Sequence, residues 1–116
     1  MANTVMTSFK KELMEGTHDL ATSGDTFKLA LYTSSSSINS AATTIYTTSD
    51  EVGNSGTYAA GGGTLAGQTV TTDGTTAICN FTDLEFTSAT ITARYALIYN
   101  SSESNAAVCV LDFSTD

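Results

Sequence analysis

The chain contains no proline and no tryptophan, one histidine, two cysteines and four basic residues among 116. Each scarcity narrows what the protein does. Twelve acids against those four bases leave a formal charge of −8, and a polyanion gains nothing from the counterion release that drives phosphate-backbone binding. Nucleic acid and anionic lipid surfaces are poor partners. Charged residues are 14% of the chain, against about 25% in an average soluble domain, while 22 threonines and 14 serines stand in their place. Hydroxyls therefore replace ions as the solvating groups. No long hydrophobic run exists: the longest, Ala106 to Leu111, is far below the roughly 20 residues of a spanning helix. Met1 to Lys11 has no uninterrupted apolar core of a secretory signal, so the expectation is a soluble protein made in a cytosol. The absence of proline, with few lysines, removes two devices that blunt exposed sheet edges, and predicts edges covered by loops or neighbouring subunits.

What is present has the pattern of one β domain spanning residues 1–116, with a helix at about 5–15 and strands from about 27 to 113. A chain of this length buries about two thirds of its unfolded surface. Met6, Phe9 and Leu13 recur at helical spacing with Val5 near the same face, and Gly16 supplies a stop. This stripe reads as a short helix packed against a sheet. Beyond Gly16 the period changes to two. Phe27, Leu29 and Leu31 alternate with Lys28, Ala30 and Tyr32 in the first strand. Thr33 to Ser49 reads as a surface excursion with a short strand near Thr44 to Thr47, and Gly53, Gly56, Gly61, Gly62 and Gly63 as turn or bulge glycines. No lysine or helix pattern follows Gly63, so they are no phosphate cradle.

Asp73-Gly74 marks a tight turn between strands at Leu65 to Thr72 and Thr75 to Phe81, and Leu84 to Phe86 is a short piece. A long strand presents Ile91, Ala93, Tyr95, Leu97 and Tyr99 on one face. Its neighbour presents Ala107, Cys109, Leu111 and Phe113, with Val108 and Val110 opposite. The fold class is mainly β, an antiparallel β-sandwich or partly open barrel with one short N-terminal helix.

No catalytic, cofactor or metal site emerges, and the interface residues are unknown. His18 precedes Asp19 and reads as a surface histidine near a helix C-terminus rather than a triad member. Cys79 and Cys109 sit in apolar stretches and read as reduced core thiols. Asp50, Glu51, Asp73, Asp83 and Glu85 lack the spacing of a calcium loop. Tyr32, Tyr46, Tyr58, Tyr95 and Tyr99 read as half-buried core residues with wet hydroxyls rather than a sugar platform. Arg94, the single arginine, calls for an acid such as Glu85 or Asp112, or for an intersubunit contact. Asn80-Phe81-Thr82 and Asn100-Ser101-Ser102 match the glycosylation pattern by chance in so hydroxyl-rich a chain.

The segments Ser8-Phe9-Lys10-Lys11-Glu12-Leu13-Met14-Glu15-Gly16-Thr17-His18, Phe27-Lys28-Leu29-Ala30-Leu31-Tyr32, Tyr58-Ala59-Ala60-Gly61-Gly62 and Ala96-Leu97-Ile98-Tyr99-Asn100 together resemble a family of small virion structural proteins from tailed double-stranded DNA bacteriophages. The resemblance spans most of the chain. It implies a capsid decoration or cement role without cofactor. The major capsid protein and copies of the chain itself, a trimer first, are the expected partners, and assembly is expected in the host bacterial cytoplasm. A tail, neck or fibre-associated module binding a receptor or glycan is the alternative. Members of that family continue past the equivalent of Val110-Leu111-Asp112-Phe113 with another apolar strand, so the resemblance also implies an edge strand that is lacking or supplied by a partner.

Overall fold

The computed structural model describes residues 3–113. The fold is mainly β and antiparallel, with one short N-terminal helix, as the sequence predicts. In chain order the elements are β1 (Thr4–Val5), α1 (Thr7–Met14), β2 (Phe27–Tyr32), β3 (Gly63–Thr64), β4 (Thr69–Asp73), β5 (Thr76–Asn80), β6 (Tyr95–Asn100) and β7 (Ala106–Asp112). The main sheet has the order β1-β7-β6-β2-β3, and β4 and β5 form a separate hairpin. The sheet is open, and both of its edge strands are only two residues long. Short edges are another way to deny a foreign strand a template, and they replace the missing prolines and lysines in the main sheet.

The central strands carry apolar residues on both faces because both faces are covered. Register places Ala30 and Tyr32 of β2, Tyr95, Leu97 and Tyr99 of β6, and Ala107 and Val110 of β7 on one side. The excursion after β2 packs over that side, contributing Ile38 to the core, with Tyr46 stacked on Tyr99 at a centroid distance of 4.7 Å. The opposite side carries Phe27, Leu29, Ile98 and Cys109, with Val5 of β1 in line. There α1 contributes Phe9, while Phe81, just beyond β5, places its ring 6.0 Å from that of Phe27.

Local structure departs from the sequence expectation where tertiary pairing intervenes. Val5 is paired with Cys109 in β1, so the helix starts at Thr7, and of the expected apolar stripe on α1 only Phe9 is buried while Leu13 stays exposed. Gly16 does terminate the helical segment, with φ +76°. The expected strand near Thr44 to Thr47 is a single bridge, Ile45 to Ala106, and Leu84 to Phe86 forms none. Strand β6 begins at Tyr95 rather than Ile91. A bulge lets Ile98 and Tyr99 face Cys109 and Ala107, leaving Val108 as the extra residue. Ala107 and Cys109 therefore point to opposite sides, which strict alternation does not foresee. The point after Phe113 where a further strand is expected lies outside the described residues.

Gly62 has φ +82°, and a side chain there would overlap the carbonyl oxygen of Leu29. Gly53 has neither constraint, with open space around it. Gly62→Ala is expected to cost more than about 2 kcal/mol, whereas Gly53→Ala is expected to stay within about 0.5 kcal/mol of the parent. Urea denaturation of the two variants side by side checks the difference.

Candidate functional site

The densest polar arrangement centres on Glu51. Thr33 N–H donates to the Asp50 carbonyl and Val52 N–H to the Leu31 carbonyl, both at 2.9 Å, so residues 50–52 continue the sheet beside β2 past the end of β3. That placement points the Glu51 carboxylate at three donors. Oε1 accepts from the Tyr46 hydroxyl at 2.5 Å, and Oε2 accepts from the Tyr58 hydroxyl at 2.7 Å and the Gly61 N–H at 2.8 Å. The Tyr58 oxygen in turn accepts from Leu31 N–H at 2.9 Å. Tyr99 donates to the Gly61 carbonyl and Tyr32 to the Thr47 carbonyl, each at 2.5 Å. Four phenols thus surround one carboxylate.

Burial raises the Tyr46 and Tyr58 hydroxyls well above the usual tyrosine range, and the hydrogen bond to Glu51 adds to it. Tyr32 and Tyr99 are raised first by burial, with the Glu51 charge contributing. Phenols held neutral are poor bases, and both carboxylate oxygens are engaged. The cluster holds the excursion to the sheet rather than presenting a reactive group. The tyrosines expected to keep wet hydroxyls instead spend four of them on internal partners, and Tyr95 takes the Asn39 amide at 3.1 Å.

A second network overturns the surface reading of His18. Its side chain is 0% exposed, and its ring lies 4.7 Å from that of Phe9. Asn100 Oδ1 accepts from Ser102 N–H, which turns the amide nitrogen toward Asp25 Oδ2 at 2.8 Å and His18 Nδ1 at 2.9 Å. Nδ1 is therefore the acceptor, and Nε2 donates to Glu12 Oε1 at 2.9 Å. The partner is Glu12, one helical turn before the stop, and not the neighbouring Asp19. A carboxylate–imidazole pair is present, but a carboxamide occupies the position a nucleophile needs, and no solvent reaches the ring. The signal was available only as a buried asparagine 82 residues away.

Arg94 Nε donates to Asp112 Oδ1 at 2.7 Å, and its guanidinium lies 5.3 Å from the Tyr95 ring centroid. Of the two acids named from sequence, Asp112 is the partner, because it ends β7 opposite the start of β6. The thiols are free. Cys109 is half-buried and its pKa is pushed up to about 11 by burial. Cys79 departs from the expected core position, standing exposed on β5, and its apolar surroundings also raise its pKa. Neither is an activated nucleophile. Among the described residues no three His, Cys, Asp or Glu side chains are grouped to hold a metal ion, and no helix is long and apolar enough to cross a membrane.

Two depressions remain. A shallow groove of about 350 Å³ is lined by Thr33, Asn54, Ser55, Thr90 and Thr92, with Glu51 at its base. A deeper cleft of about 470 Å³ lies between the β4–β5 hairpin and the main sheet, and its walls are almost wholly apolar. Family models, curated proteins and solved structures contain no match to this chain.

Two outcomes follow from the Glu51 cluster. Glu51→Gln puts an amide donor against existing donors and is expected to cost about 1–3 kcal/mol in urea unfolding. The raised phenols also set an alkaline limit. The unfolded chain releases its phenolic protons near pH 10 while the folded chain retains them, so the folded state binds more protons and stability falls with rising pH. This contribution is intact below about pH 10 and lost above it. Tyrosinate absorbance is expected to rise together with loss of the circular dichroism signal; smooth titration of these phenols in a still-folded chain would contradict it.

Proposed function

We propose that this protein is a structural component of a bacteriophage particle, most simply a capsid decoration or cement protein that stabilises the shell by noncovalent binding. The observation that carries the reading is the distribution of chemistry. Glu51 and the single histidine, His18, are consumed inside the fold, whereas the surface offers hydroxyls, scattered carboxylates and an open apolar cleft. Such a molecule acts by contact. The resemblance of its segments to small virion proteins supports the same conclusion, and a charge of −8 suits the outside of a shell better than the face toward packaged DNA. Partners are the major capsid protein and further copies of the chain, with closed rotational symmetry and a trimer as the first arrangement.

Attachment of this kind needs about 1,000 Å² or more of buried surface, and repetition over a shell adds avidity. The reading as a tail or fibre module draws on the hydroxyl-lined groove. It loses its aromatic platform, since four of the five tyrosines are buried. Purified protein mixed with shells lacking it is expected to bind saturably, in multiples set by shell symmetry, and to raise the temperature of disruption. Because only four residues are basic, raising salt is expected to release little. Absence of shell binding together with specific glycan binding would transfer the assignment to the tail.

A further inference from the structure

The β4–β5 hairpin is an arm whose strands are exposed at every residue. An isolated hairpin is marginal in water, and this one carries Val70 and Ile78 uncovered. Its two-residue turn at Gly74 and Thr75 closes on the pair Asp73–Thr76. In such a turn the closing pair exchanges both ladder hydrogen bonds, and bonding alternates along the strands. Thr71–Ile78 and Thr69–Asn80 are then bonded pairs, and the main-chain groups of Ala77 and Cys79 point away from β4. Among the described residues no backbone segment accepts or donates to them. The side chains of the same two residues line the apolar cleft.

The floor of that cleft has matching order. Val5, Cys109 and Ile98 lie in register across β1, β7 and β6 on one face of the sheet, and Val5 is 44% exposed. An unpaired strand edge beside an apolar floor is complementary to one ligand type. That ligand is an extended strand, bonding through its backbone and placing alternate side chains downward. Charge selects its source. A second copy of this chain brings another −8, so a neutral or basic strand is favoured.

We propose that the outer edge of β5 accepts one extended strand from a different protein, with apolar side chains at alternate positions and no net negative charge, completing the second layer of the fold. On the reading above, which supplies the identity of the partner, this is the contact made with the shell. The probe is a blocked heptapeptide, Lys-Val-Thr-Val-Thr-Val-Lys, compared with the same composition as Lys-Val-Val-Val-Thr-Thr-Lys and with a version ending in glutamates. The alternating peptide is expected to slow amide exchange at Ala77 and Cys79 and alkylation of Cys79 at least tenfold. The other two are expected to bind at least tenfold more weakly. Ala77→Pro removes one outward N–H without touching the bonds to β4, and is expected to abolish peptide binding with an unchanged circular dichroism spectrum. Val5→Thr, which leaves the edge intact, is expected to weaken it severalfold.

Equal binding of all three peptides, or protection of Cys109 without the arm amides, would make the cleft a site for apolar molecules and overturn the proposal. So would protection of the arm that grows with protein concentration alone, which identifies a second copy. Ala77→Pro protein that still binds shells in full would place the shell contact elsewhere. The decoration reading would then stand while the strand-acceptor assignment to that contact fails. Peptide binding without any shell binding would have the opposite meaning.

Discussion

The carboxylate of Glu51 sets the terms for half of this molecule. It lies on a segment that continues the sheet beside β2, and it gathers donors from Tyr46, Tyr58 and Gly61. These three residues lie along the connection between β2 and β3, residues 33–62, which has little regular structure of its own. A segment that cannot satisfy its backbone through ladders has to be held by side chains, and one acceptor shared among several donors does so economically. The stacking of Tyr46 on Tyr99 then brings the same excursion down on β6. Without this centre the tyrosine-rich face of the sheet would be open to water.

The opposite face follows a different rule. Its far end is closed by another polar centre, in which Asn100 at the end of β6 joins His18 to Asp25 while His18 reaches back to Glu12 of the helix. Between that centre and the arm, the cover is incomplete. The main sheet has edges of two residues each, which leave little for an intruding strand, whereas the arm has five-residue strands with free outer edges. Among the described residues, the main sheet is thus guarded against pairing while the arm is open to it. Threonine hydroxyls on that arm keep it soluble, and the chain's net charge of −8 favours a neutral or basic partner strand over a second copy.

Composition and spacing made the class of fold legible. Period-two alternation at Phe27 to Tyr32 became β2, the Asp73-Gly74 signal became a hairpin whose turn falls one residue later, at Gly74 and Thr75, and the two apolar stretches near the C-terminus became β6 and β7, the first of them starting at Tyr95 rather than Ile91. Arg94 called for an acid, and Asp112 supplied it. These features are local, or concern neighbours in one hairpin, where the pattern of a few residues determines the outcome.

What the sequence determined by itself is a mainly β, antiparallel, acidic domain with a short N-terminal helix. Tertiary structure alone decided the rest. His18 is buried because the chain after Gly16 returns to the end of β6; Cys79 is exposed because its strand pairs only with β4. Ala107 and Cys109 face opposite ways because one residue is added to β7 at the bulge. In each case the deciding partner lies far along the chain or in a register that alternation does not specify. Glu51 illustrates the same limit: nothing beside it announces three donors, because Tyr46, Tyr58 and Gly61 converge on it only after the excursion folds over the sheet. Hydrophobic period reports which face of an element is apolar, but the geometry of hydrogen bonds between distant segments is set when those faces meet.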